Sequence, residues 1–386
     1  MQDLSEQYTT SISLAFSELN DPRGYGVKHP LINIISMTLC AIISGCDNVE
    51  AISMHAQARK DFFARFLDLT AGIPSADTFH DVLNRIKPAE FTECFNQWVK
   101  GLKTNCNDII AIDGKTLRGT ADKKNNANPI HLVNAWSVEN QLCFGQVRVS
   151  DKSNEITAIP TLIKMLDIKG ATVTVDAMGC QHAIAGLIVS SEANYVMALK
   201  GNQGSLNEDV RLFLKTELEQ NFTNTKHSFF HEVDGNHGRI EERHVWMTTE
   251  VEWLRERHEN WKSINSIIVV KSIREIKNQA DTQTEELRFY ISSEINQDAK
   301  WIAQVIRGHW QVENNLHWQL DVSFREDELS LRSGYAAENI SFMNKLTISL
   351  LKKEQTLKAS IKNKRMVACI QDEYLLKVLN ANNFID

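Results

Sequence analysis

Three carboxylates far apart in the chain offer the most chemistry: Asp113 in AIDGK, Asp176 in TVDAMG and Glu313 in HWQVEN. Around the last of them, HWQVENNLHWQLDVSFRED (His309 to Asp327) sets two His-Trp pairs about Glu313 and then adds Asp321, Glu326 and Asp327. On a helix, His309, Glu313 and His317 share one stripe close to Val312, Leu316 and Leu320, which predicts an inward-facing Glu313. Three carboxylates cannot be buried together without a cation, because like charges repel and unpaired ions are costly to desolvate. Hard oxygen donors without nearby thiolates favour Mg²⁺ or Mn²⁺ over zinc. Two such ions about 4 Å apart activate a water or hydroxyl and stabilise the leaving oxygen of a phosphodiester. The alternative stays open that these acids cap turns or pair with Lys115, Arg118 and Arg307. With 49 acids in 386 residues, an Asp…Asp…Glu triple alone selects little.

The elements that must hold these residues follow from periodicity. DIIAIDGKTLRG is a short apolar run closing on Asp113 and Gly114, a buried strand with a polar tip. IHLVNAWSV and QLCFGQVRVS, joined across Glu139 and Asn140, predict a hairpin. NEITAIPTLIKMLDI carries a helical stripe, ATVTVDAMG is a strand ending at Asp176, and a helix over Gln181 to Ser190 leads into the strand NYVMALKGNQG. That order predicts a mixed α/β sheet with its sites at strand ends. From about Ser205 to Asn296, a helix and strands around HSFFHEV, RHVWM, SIIVVKSI and LRFYISS predict a β-rich insertion. Helices over about Asp298 to Leu320 and Ala336 to Lys353 follow. Up to about Lys103 the texture is helical. Within it, FFARFLDLTAGIPSADTFHDVLNRIKP places a turn before a helix capped by Ser75, which suits a helix-turn-helix or any helical hairpin.

Seven scattered cysteines without C-x-x-C spacing argue against a disulfide framework or a zinc site and predict reduced thiols. The opening MQDLSEQYTTS lacks a secretory pattern, and LINIISMTLCAIISGC is too short and too polar for a membrane span, so a cytoplasmic protein with a core helix there is expected. A net charge of −7 disfavours strong nonspecific nucleic-acid binding. Lys352 to Arg365, however, carries six basic residues against one acid, a solvated face or a phosphate-lining stripe. Lys115, Arg118, Lys123, Lys124 and Lys200 follow strand tips, where phosphates would approach, or are ordinary surface cations. GNQG has too few glycines to cradle a phosphate. Trp310 and Trp318 suit either core or base stacking. His227, His231, His237 and His244 match no standard zinc spacing and read better as a polar β-turn region.

The stretches DPRGYGVKHPL, GIPSADTFHDVL, AIDGKTLRG, SNEITAIPTLI, VTVDAMG, YVMALKGNQG, HGRIEERH, IRGHWQVENNLHWQLDVSFRED and AAENISFMNKLTISLLK span nearly the whole chain. In that order they resemble a bacterial insertion-sequence transposase of the DDE superfamily, in the family of the H-repeat-associated proteins. The resemblance implies a ribonuclease H-like mixed sheet flanked by helices, a β-rich insertion before the last catalytic helix, and a helical N-terminal domain. The expected parts are a DNA-binding region over 1–104, the first part of the catalytic domain over 105–204, the insertion over 205–296, and a helical part with a basic tail over 297–386. It further implies that Asp113, Asp176 and Glu313 are catalytic and hold two Mg²⁺, with Mn²⁺ as substitute. The implied partners are the element's terminal repeats and target DNA, bound as a homodimer or larger, in the bacterial cytoplasm and without a membrane. Arg307 and His309 join Lys115, Arg118 and Lys200 as candidate DNA contacts. Some relatives place an Arg four residues before the Glu and a Lys seven after it; here those positions are His309 and Leu320. The rival readings are a non-catalytic or domesticated DNA-binding descendant and a general metal-dependent nuclease.

Overall fold

Apolar spacing and strand-like runs fold into a mixed α/β chain whose elements, in order, are as follows. Helices α1 (Leu31–Ile43), α2 (Val49–Ala58), α3 (Lys60–Phe63), α4 (Ala76–Arg85) and α5 (Pro88–Lys100) come first. Next are β1 (Ile109–Leu117), β2 (Ile130–Ser137), β3 (Leu142–Arg148), α6 (Glu155–Met165), β4 (Thr172–Val175), α7 (His182–Ser190), β5 (Asn194–Leu199) and α8 (Gly204–Glu219). Then come β6 (His227–Asp234), β7 (Arg239–Thr248), α9 (Glu252–Arg257), β8 (Ser266–Ile276), β9 (Thr284–Ser292) and α10 (Ala299–Val312). A π-turn (Glu313–His317) leads to α11 (Trp318–Phe324), α12 (Ala336–Lys353), α13 (Ile361–Ile370) and α14 (Asp372–Leu379). This computed structural model describes residues 16–381 apart from 17, 101–107, 123, 126, 151–152, 236–238 and 277–282. It divides into a unit of Met1–Asn105, Gly114–Lys152 and Val312–Asp386 and a second unit of Cys106–Asp113 and Ser153–Gln311.

In the first unit, side-chain caps start the helices where the sequence places them. Asn48 Oδ1 accepts from the Ala51 N–H at 2.8 Å and Ser75 Oγ from the Thr78 N–H at 3.3 Å. The apolar run near residue 31 is a core helix, buried from Asn33 to Ile43. No described helix is long and apolar enough to cross a membrane. The centre of the unit is α12, buried from Ala336 to Leu351. Such a helix is sustainable only if its polar side chains are paired. Lys345 Nζ donates to Gln146 Oε1 (2.6 Å) and Ser341 Oγ (2.9 Å), and Arg148 Nη1 donates to Glu338 Oε1 (3.2 Å). Asn339 Nδ2 donates to the carbonyls of Leu83 and Ile86, satisfying the C-terminal end of α4.

The basic run from Lys352 to Arg365 is neither a solvated face nor a phosphate-lining stripe as a whole. Arg365 is buried, donates from Nε and Nη2 to the Ile42 carbonyl at 3.1 and 2.8 Å, and lies 4.0 Å over the Phe324 ring. Lys364 is buried as well, donating to the carbonyls of Leu351 and Glu354. Both cations sit where helix dipoles end negative, at the C-termini of α1 and α12. Lys352 donates to Gln141 Oε1 at 2.7 Å, and burial pushes its ammonium down to about 8. Lys358 and Lys362 remain exposed.

In the second unit, β1, β4 and β5 run parallel, and their short apolar sequences are buried on both faces. The four strands read as an insertion continue the same sheet. β9 pairs antiparallel with β5 from Val196↔Ser292 to Leu199↔Phe289, and β8, β7 and β6 follow as an antiparallel meander. Hydrogen bonding orders the strands β3-β2-β1-β4-β5-β9-β8-β7-β6. Its first five members, with β2 and β3 an antiparallel hairpin and β1, β4 and β5 parallel, have the ribonuclease H-like order. β6 alternates exposed and half-buried residues. Its Ser228, Glu232 and Asp234 meet α10, through the Ala299 N–H at 2.9 Å and Arg307 at 3.1 and 3.2 Å.

Candidate functional site

The parallel ladder between β1 and β4 runs from Ile109↔Thr172 to Ile112↔Val175 and stops there. The next residue on each strand is an aspartate, so Asp113 and Asp176 leave the carboxyl ends of one ladder side by side, on strands about 4.8 Å apart. Both are half-buried. Asp113 is not at the tip of its strand: β1 continues to Leu117, with Gly114, Thr116 and the buried Lys115 and Leu117. It marks instead the point where β1 loses β4 as a neighbour.

The loop after β4 holds Asp176 firmly. Its Oδ1 accepts from the N–H groups of Met178 (2.9 Å) and Gly179 (3.0 Å), the Asx turn that aspartate makes with its own backbone. Oδ2 has no hydrogen bond among the described residues. Gly179 packs closely against the helix and strand: a Cβ there would lie 2.9 Å from Ile159 Cδ1 and 3.0 Å from Val175 Cβ, so either neighbour would have to shift. Two side chains of the loop after β5 pin the same turn: Asn202 Nδ2 donates to the Ala177 carbonyl (2.8 Å) and Gln203 Nε2 to that of Cys180 (2.6 Å). Sequence reasoning assigned GNQG no task; the signal available was two amides in a tight loop after a parallel strand. Below Asp176 on β4, Thr174 Oγ1 meets His309 Nδ1 at 2.7 Å. Burial pushes the imidazole down to about 4 against the opposing pull of Asp176, so it is neutral near pH 7.

Glu313 belongs to the first unit and opens the π-turn that interrupts the helix running from α10 to α11. It is exposed, whereas Val312, Leu316 and Leu320 are fully buried. The expectation of an inward-facing Glu313 is therefore corrected. The buried stripe lies one residue earlier, and His309 and His317 fall on its half-buried margin. π-turns inserted in α-helices are frequent at functional sites because they re-aim the side chains that follow.

The candidate DNA contacts divide sharply. Lys115 is no surface cation: its side chain is 6% exposed, and Nζ lies 2.5 Å from Asp321 Oδ1 and 3.9 Å from Asp327 Oδ1. The acids after Glu313 thereby acquire a task, since Asp321 and Asp327 neutralise Lys115 and the buried Glu326 accepts from Asn344 Nδ2 at 3.2 Å. Close packing reinforces this junction, where a Cβ on Gly119 would lie 2.7 Å from the carbonyl oxygens of Asp327 and Leu329. Arg307 is committed to Glu232 and Asp234, and the neutral His309 cannot act as a phosphate counter-ion. Arg118, 3.5 Å from Asp327 and 80% exposed, and Lys200, exposed one residue past β5, remain open to solvent. Trp310 and Trp318 are 44% and 54% exposed, so neither is a core residue.

The donor set of the ladder end is carboxylate oxygen, with one oxygen of Asp176 held by amides and the other unengaged. The nearby Cys180 thiol is pushed up to about 12 by burial and by Asp176, so it stays protonated and offers no thiolate. These residues suit a hard divalent cation.

Known proteins bear on this geometry. Residues 104–350 match the family model described as Transposase DDE domain, and residues 14–99 match the model described as DDE_Tnp_1-associated. The H repeat-associated putative transposase YhhI of Escherichia coli (strain K12) is 39% identical over 356 residues, covering 92% of this chain and 93% of that protein. The putative transposase YncI of Escherichia coli O157:H7 is 38% identical over 366 residues, covering 94% and 93%. Among solved structures, the piggyBac transposase synaptic complex with hairpin DNA aligns with a TM-score of 0.42 at 11% identity, over 96% of this chain and 78% of that one.

Proposed function

Because the chain belongs to the DDE transposase family, we propose that it cuts and joins DNA strands of an insertion sequence by divalent-metal-dependent phosphoryl transfer. Asp113, Asp176 and Glu313 are its metal-binding carboxylates in this reading. The observation that carries it is the exit of Asp113 and Asp176 side by side from the end of one parallel ladder. Two half-buried carboxylates placed side by side make a suitable seat for a divalent cation.

Two bound divalent ions, Mg²⁺ or Mn²⁺, supply activation of the attacking hydroxyl group and stabilisation of the leaving oxygen. The chain's own residues prepare for this. The Met178 and Gly179 amides hold Asp176 Oδ1 and so orient Oδ2, while Asn202 and Gln203 keep the loop from moving. Thr174 and the neutral His309 form an uncharged hydrogen-bonded support that adds no competing cation. Arg118 and Lys200 meet DNA phosphates, and the exposed indoles of Trp310 and Trp318 offer stacking faces for bases. The helical region over 1–104, with the Ser75-capped α4, is the proposed holder of the element ends, and strand transfer at paired ends calls for at least a dimer on DNA.

The test is Mg²⁺- or Mn²⁺-dependent nicking and joining of DNA that carries the element's terminal repeats, with Asp176→Ala as control. Nicked and joined products from the wild type alone are expected. Binding by both proteins with nicking by neither would turn the reading into a non-catalytic DNA-binding protein. Cutting without end preference or joined products would make it a general nuclease.

A further inference from the structure

Away from the three carboxylates, β6 and β7 bring together side chains that sequence spacing did not match to a metal site. His231 and His244 are directly opposed in the antiparallel register, and Glu242, two residues before His244, lies on the same face of the sheet. Their rings are stacked with centroids 4.5 Å apart. His231 Nε2 lies 2.9 Å and His244 Nε2 2.8 Å from the same oxygen, Glu242 Oε1. One ligand atom from each residue therefore falls within 4.8 Å of the others. His237 lies outside the described residues.

We propose that His231, Glu242 and His244 form a binding site for a divalent transition-metal ion of the zinc class. The proposal shares no residue with the carboxylates assigned to phosphoryl transfer and does not rest on that assignment.

Donor chemistry selects the ion. Two imidazole nitrogens and one carboxylate oxygen suit Zn²⁺, Ni²⁺ or Cu²⁺ rather than Mg²⁺, which takes oxygen ligands. Tetrahedral bonds of 2.0–2.2 Å separate ligand atoms by about 3.4 Å, so the two nitrogen–oxygen contacts of 2.9 and 2.8 Å have to open by about half an ångström. As hydrogen bonds, the same contacts require both Nε2 atoms to carry protons aimed at one oxygen; a cation uses all three lone pairs instead.

The setting supports entry and orientation. The opposite face of β6 is covered by α10 through Ser228, Glu232 and Asp234. The His231 face is open, with His231 40% exposed and Phe229 and Val233 exposed beside it. Trp246 stacks on His244 at 5.7 Å and 12°, limiting the rotamers of that ring. Lys271, opposite His244 on β8, is paired with Glu285 at 2.8 Å, which offsets its repulsion of an incoming cation. Three protein ligands leave coordination positions for water or for a group on a partner.

Chelator-treated full-length protein is titrated with Zn²⁺ by calorimetry and with Co²⁺ by visible absorption. His231→Ala, His244→Ala, Glu242→Gln and Asp176→Asn are run in parallel, each checked for fold by circular dichroism. One Zn²⁺ site is expected that weakens at least 10-fold in the His231, His244 and Glu242 variants and persists in Asp176→Asn, with a Co²⁺ spectrum that changes in the same three. Glu242→Gln keeps its shape at a partly exposed position, so the test survives misfolding of a histidine variant. Equal Zn²⁺ binding by wild type and the three variants, or a site lost only in Asp176→Asn, would overturn the proposal.

Discussion

Replacing Asp176 by asparagine separates the two things this residue does. The amide keeps an oxygen where Oδ1 accepts from Met178 and Gly179, so the Asx turn survives and its contribution to stability changes by less than about 1 kcal/mol. Losing both hydrogen bonds to Oδ1 in Asp176→Ala should instead cost about 2–4 kcal/mol. The charge change acts the other way in metal-free protein. Two unit charges at the strand spacing of about 4.8 Å repel by about 3.5 kcal/mol at an effective dielectric constant of 20, and by about 1 kcal/mol when half-exposure raises it to about 60. Metal-free Asp176→Asn should therefore melt at or above the wild-type temperature, by about 2–14 °C at the 2–4 °C per kcal/mol of a 150–250-residue domain. Adding Mg²⁺ or Mn²⁺ should reverse the order. The wild type gains about 2.7 kcal/mol at a hundred times the dissociation constant, and the variant gains much less. The assay is thermal unfolding with and without the ion, beside the nicking assay, in which the Asn variant should be inactive. A variant that melts well below the wild type without metal, or gains as much from Mg²⁺, would refute the reasoning that repulsion at the ladder end is relieved by a cation.

Arg365→Ala should lower stability to urea by about 2–4 kcal/mol, because it strips charged donors from buried carbonyls at the end of α1; a change under about 0.5 kcal/mol would mean the guanidinium is dispensable. Lys200→Ala should weaken DNA binding and reduce the salt slope of log K by about one, whereas Lys115→Met should lower stability and leave that slope unchanged. A slope change in the Lys115 variant would return that residue to the DNA surface. His309 supplies a pH test. Its folded value of about 4 lies below the unfolded value of about 6.5, so the unfolded chain binds the extra proton between them and stability falls as pH drops through that window. The loss should reach about 3 kcal/mol near pH 4 and be absent in His309→Gln; equal pH profiles for the two proteins would dispose of it.

Local rules carried far in this chain. Ser75 as a cap, the β2-β3 hairpin, the helix over residues 155–165, and the termination of β4 at Asp176 all depend on neighbours within a few residues, and a sequence displays those neighbours. The candidate site was legible to the extent that strand ends are. Asp176 could be placed because TVTV is a short β-branched run that ends at it. Asp113 was placed less well, because the strand that continues it to Leu117 is held by β2, a partner that periodicity does not reveal.

What the sequence determined by itself was the element list and the kind of donors available: apolar periods of two or three to four, turn residues between them, and carboxylates at their ends. Only tertiary structure decided which strands became neighbours, that β9 would join β5, that the Glu242 carboxylate would bridge two histidines, and that Lys115, Lys364 and Arg365 would turn inward. The physical reason is one of range. Backbone propensity acts within a turn or two, whereas desolvation and ion pairing depend on whatever the fold packs against a side chain. Glu313 shows both sides: its helix was written in the local pattern, but the π-turn and its exposure were set by which neighbouring residues the fold buried.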